Sequence, residues 1–178
     1  MVLTAREIWT ALHGMVFGAA YLLAFTAGLV GLYSLRESWV TGKGIVERIV
    51  RLKWEVGVMT ILSFLTVASG TWIVYPWYRA PAPEGANLLE YPRNFLLADP
   101  NLSAWHTFGM EWKEHIAWFS PILTVAVLFL IFRYGPALAQ DKYKNLRWMI
   151  VILFILSFAA AGIAGLFGAL ITKAAPIL

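Results

Sequence analysis

The sequence predicts an all-α integral membrane protein, a single-domain four-helix bundle over residues 1–178. Two observations carry this expectation. The chain is 60% hydrophobic and 13% charged, with a mean hydropathy of +0.70, whereas soluble domains have about 45–50% apolar and about 25% charged residues. The excess is also gathered into four uncharged runs, residues 8–35, 56–78, 115–132 and 148–172. A bilayer core needs about 20 helical residues to cross. The third run is near that limit, and its span is extended to 115–134. In lipid every backbone N–H and C=O must be satisfied internally, so each run must be a helix.

The first run, 8–35, follows Thr4 and Glu7, spaced as an N-terminal capping box. It is too long for the apolar part of a cleavable leader and lacks a preceding basic cluster. Gly14 and Gly18 form a small-residue face beside His13, and Gly28 and Gly31 follow deeper; such glycines admit a close neighbour helix. The connection 36–53 reads as a turn followed by a short amphipathic helix on the membrane surface. The second span, 56–78, ends at Pro76 among aromatic residues.

The long connection 79–114 is extended through RAPAPEGAN. Asp99-Pro100 then reads as an N-cap with a first-turn proline, opening a helix that leads through Gly109 into the third span. Pro121 should kink that span about one turn past His115. The fourth span, 148–172, is the richest in glycine and alanine. ILSF occurs at 61–64 and again at 155–158, and His13 with Phe17 aligns with His115 and Phe119. This faint repeat suggests two tandem helical hairpins related by an axis along the membrane normal.

Charge sets the expected orientation. Arg36, Lys43, Arg48, Arg51 and Lys53 flank the first connection; Arg133, Lys142, Lys144 and Arg147 flank the third. The positive-inside rule places these loops in the cytoplasm, with both termini and the 79–114 loop outside it. The protein is thus expected in the cytoplasmic membrane. Topology and anionic lipid account for the basic residues without nucleic acid. Trp9, Trp54, Trp72, Trp77, Trp112, Trp118 and Trp148 sit near run ends, as interfacial anchors do. With no cysteine, disulfides, thiolate metal sites, iron–sulfur clusters and covalent haem attachment are excluded.

The chemistry-bearing residues lie at the outer ends of the first and third spans. Ionisable side chains in a membrane default to a functional reading. His13 and His115, at matched depth, are expected to face each other and ligate one haem b iron, with Gly14 and Gly18 making room for the macrocycle. Glu111 shares a face with His115 and can orient its imidazole or accept a proton. His106 is half a turn out of phase with His115 on a continuous helix. It is an alternative ligand only if Gly109 breaks that helix, and a surface place is the ordinary expectation for it. The plain alternatives are a packed His13 bonded to a carbonyl, an interfacial His115 and solvated Glu111 and Glu114.

Helix number together with His13 and His115 resembles the four-helix membrane b-type cytochromes. The resemblance implies an electron-transfer subunit passing electrons between quinol and an extracytoplasmic cytochrome or other redox protein, with quinone nearby and further membrane subunits as partners. Those families often hold two haems on four histidines; three histidines in this chain exclude two bis-histidine haems. Two other readings stand beside it. One is a non-haem Fe, Cu or Zn ion on His13, His106, His115 and Glu111; the other is a non-catalytic accessory subunit of a larger membrane complex.

Overall fold

The computed structural model describes residues 3–175. These form α1 (Ala5–Tyr33), α2 (Gly42–Tyr78), α3 (Pro92–Ala98), α4 (Trp105–Ala139) and α5 (Asp141–Ala174). All but α3 are long and apolar enough to cross a membrane, and no strand occurs among the described residues. The chain is a multi-pass, all-α protein. Side chains such as Leu23, Ile61, Phe129 and Leu166 are exposed on its flanks, as lipid-facing surface requires.

The four long helices pack in a square. α1 lies against α2 and α5, and α4 lies against the same two helices, so α1 and α4 stand diagonally. One end of the bundle gathers the basic connections: the Glu37 N–H donates to the Ala139 carbonyl at 3.3 Å, and Arg48 donates to the Ser34 carbonyl at 3.0 Å. This is the basic end. The opposite end, the loop end, carries α3 and a small apolar cluster of Tyr78, Leu96, Met110, Ile171 and Ala175.

Helix starts follow local chemistry. Thr4 and Glu7 form the expected reciprocal capping box. The Thr41 hydroxyl accepts the Gly44 N–H at 3.2 Å and starts α2 there. α2 then runs on without the separate surface helix expected over 36–53. Ile45, Ile49, Leu52, Val56 and Met59 are buried at helical spacing straight across that boundary, so nothing ends the helix before the membrane. The Asp99 carboxylate accepts the Asn101 N–H at 2.8 Å and opens the approach to α4, as expected. α3, begun by Pro92, was not expected. Gly135, at φ +49°, is a conformation suited to glycine; it ends the regular part of α4.

The interior changes character along its length. Towards the basic end it is dry, with Leu32, Leu52, Val56, Val127, Ile131 and Ile150 nearly inaccessible. Phe25 stacks on Phe154 and Phe158 at centroid distances of 4.8 and 4.1 Å. A Cβ on Gly28 would stand 2.9 Å from Phe154 Cζ, so this glycine gives the ring its seat. Towards the loop end the interior turns polar.

Candidate functional site: a polar half-column at the loop end

Three stretches of the long helices are wound as π-helix: Leu12–Gly18, Gly70–Val74 and Trp105–Met110. All lie in the loop-end half, and they carry His13, Gly70 and His106. π-Bulges are rare and concentrate at functional sites. Pro76 accounts for one of them, since its ring removes the N–H that would bond back to Trp72. Pro121 acts similarly in α4, where helical structure is interrupted at residues 117 and 118, just past Ile116.

His13 points at α2. Its Nδ1 lies 2.7 Å from the Thr66 carbonyl oxygen and 3.3 Å from Ser69 Oγ. A carbonyl only accepts, so Nδ1 carries the proton, and in the neutral ring Nε2 then keeps the lone pair. A Cβ on Gly70 would stand 2.6 Å from His13 Cε1; the imidazole fits only because that residue is glycine. Gly18 packs beside Thr66, whereas Gly14 has no neighbouring side chain within 4 Å. The two glycines therefore do not form one slot.

His115 has different surroundings. Its side chain is 70% exposed, and its Nδ1 lies 2.9 Å from the carbonyl oxygen of Glu111 and 3.8 Å from Glu111 Oε2. The expected neighbourhood of Glu111 and His115 is present, but the backbone carbonyl is the closer partner. A haem held by His13 and His115 needs two facing donors with a flat gap between them. Here one ring is packed on Gly70 and the other turns outward from a diagonal helix, so this pair does not fit that group. Among the described residues no group of three or more His, Asp or Glu side chains is placed to hold a metal ion.

His106 lies inside, contrary to the surface place expected for it: it is 5% exposed. Tyr78 Oη lies 2.9 Å from its Nδ1, and Arg93 Nε donates to its Nε2 at 3.4 Å. Both ring nitrogens are occupied. Around them, Arg79 stands 4.0 Å from Glu114 Oε2 and 5.3 Å from the Tyr75 ring. Tyr75 Oη and Glu114 Oε1 are buried without hydrogen-bond partners among the described residues. This lid ties the 79–104 connection to α2 and α4.

Lys113 of α4, half-buried, reaches across to α5. A Cβ on Gly168 would stand 2.6 Å from Lys113 Nζ, so the ammonium lies against the bare backbone of α5. No carboxylate stands within 4.0 Å of it among the described residues. Lys113 was not among the residues expected at the site. A signal was available: it lies among EWKEH, two residues from His115 and thus on another face of the helix.

From His13 and Lys113 inward, hydroxyls line the interior. Tyr21 Oη and Ser157 Oγ are 2.6 Å apart, Ser157 Oγ and Ser120 Oγ 3.3 Å, and Ser63 Oγ and Thr124 Oγ1 3.3 Å. Thr124 also donates to the Ser120 carbonyl at 3.1 Å, and Thr60 to that of Val56 at 2.8 Å. All four long helices contribute. The line stops at Thr60 and Thr124; beyond lie Met59, Val56, Val127 and Ile131, none more than 0% exposed. The hydroxyls thus lie buried between the helices in the loop-end half of the bundle and stop short of the basic end.

No protein-family model, curated protein or solved structure matches this chain.

Proposed function

We propose that the chain is an accessory subunit of a larger membrane complex and that it exchanges protons for that complex at the loop end. The observation that supports this reading is the end of Lys113 lying on the α5 backbone at Gly168 with no carboxylate within 4.0 Å among the described residues, at the same end of the bundle as the His13 imidazole. Intramembrane ionisable groups are expensive to keep unless used. A lysine and a neutral imidazole can pass a proton between them, and the hydroxyls of Ser69, Ser63, Thr124, Ser120 and Ser157 can both donate and accept. Because the column ends against a dry core, it serves one face and does not conduct across the bilayer. Glu111, 45% exposed, is the surface acceptor next to it.

This role suits the proton side of quinol-linked electron transfer, with haem or metal carried by partner subunits and an extracytoplasmic redox protein docking over the 79–104 connection. The positive-inside rule supports an orientation with that connection outside the cytoplasm. Water-soluble thiol labelling tests the column, since the natural chain has no cysteine to interfere. Lys113→Cys, Ser69→Cys and Ser120→Cys should react from the loop side only, and Val127→Cys and Ile131→Cys should not react. Uniformly unreactive column positions would overturn the reading. So would a b-type band, in the reduced-minus-oxidised spectrum of the purified chain, that disappears in both His13→Ala and His115→Ala; that result would restore the haem on this chain itself.

A further inference from the structure

Away from the polar column, at the basic end, α1 and α5 leave between them a groove of about 510 Å3. Its walls include Leu29, Val30, Tyr33, Trp39, Trp148 and Ile155. The Ser34 hydroxyl in its wall is already engaged as acceptor for Arg48. The groove opens on the apolar flank of the bundle: Val30 is 60% and Ile155 44% exposed. A largely apolar groove at that place suits a hydrocarbon chain.

The mouth of the groove is built differently. Tyr33 packs edge-on against both Trp39 and Trp148 at centroid distances of 5.9 Å. The Arg36 guanidinium lies over Tyr33 at 4.7 Å and over Trp39 at 4.4 Å. These rings hold it at the end of the channel, at the level where interfacial aromatics collect. Arg36 has no carboxylate within 4.0 Å among the described residues, and its Nε is buried without a hydrogen-bond partner. Arg147 is committed to the Leu138 carbonyl. An orphaned guanidinium N–H needs an acceptor, and a planar fork of donors suits a phosphate.

We propose that this groove binds one anionic phospholipid, with an acyl chain between α1 and α5 and its phosphodiester on Arg36. The aromatic collar selects depth, the guanidinium selects the headgroup, and the apolar walls select the tail. The site is independent of His13 and Lys113, so it stands or falls separately from the proton-exchange reading.

The test is native mass spectrometry of the full chain released from nanodiscs of equal phosphatidylglycerol and phosphatidylcholine. The wild-type chain should retain a single phosphatidylglycerol in clear excess over phosphatidylcholine. Arg36→Gln should reduce that preference about tenfold, the loss expected of one charge-assisted contact. Val30→Trp, which fills the channel from its exposed wall, should reduce retention of both lipids. Equal retention of the two lipids by the wild-type chain overturns the proposal, whatever the variants do. An unchanged preference in folded Arg36→Gln also overturns it. If inorganic phosphate at millimolar concentration displaces the bound lipid, the site recognises a free anion and the lipid assignment fails.

Discussion

At the residue scale, two glycines decide where His13 and Lys113 can stand. Gly70 makes way for the His13 ring and Gly168 for the end of Lys113. Their substitution has different consequences. In Gly70→Ala a methyl meets a ring atom at 2.6 Å, and the ring is already bonded to Thr66, so the helices must part. A loss of about 1–3 kcal/mol is expected, readable as a lower melting temperature in detergent. In Gly168→Ala the obstacle is the far end of a flexible side chain, which can swing aside. That variant should keep the wild-type melting temperature while altering labelling of the column. His106→Ala leaves Tyr78 and Arg93 facing a void. It should destabilise the loop end by about 1–3 kcal/mol, seen as faster hydrogen exchange in 92–110 than at the basic end.

At the element scale, helix boundaries follow single hydroxyl, proline and glycine residues. Thr41→Ala removes the N-cap of α2 and should cost about 1 kcal/mol, measurable by thermal melting. The π-helical segments answer to different causes. The one before Pro76 follows from the missing amide N–H. The segments at Leu12–Gly18 and Trp105–Met110 contain no proline; there the extra residue per turn rotates His13 towards α2 and His106 towards Tyr78. Simple 100° counting misses such rotations. It served only to set His106 half a turn from His115; the facing of His13 and His115 was expected from their matched depth, whereas α4 leaves His115 on the surface and sets the end of Lys113 against Gly168.

At the scale of the whole molecule, the order of helices around the square governs the function. With α1 and α4 diagonal, a residue on one reaches the other only through the centre of the bundle, and the centre is filled by hydroxyls and packed side chains. Paired cysteines test this arrangement. Ser63→Cys with Thr124→Cys, whose hydroxyl oxygens are 3.3 Å apart, should form a disulfide on mild oxidation. His13→Cys with His115→Cys should not. The membrane character, the four spans and several starts were legible in the sequence, because lipid imposes length and apolarity directly on each segment. α3 was not legible, since a seven-residue helix in a polar connection carries little periodic signal. Neither was the lid on His106, which depends on Tyr78 and Arg93 arriving from other elements.

What the sequence determined by itself was therefore what the solvent demands: uncharged runs long enough to cross, glycines where helices meet, caps where they begin. Which polar groups meet was decided by tertiary structure alone. A histidine's partner depends on the rotation of its helix, on π-helical turns that shift that rotation, and on which helix stands opposite, and these are settled only when all four helices pack at once.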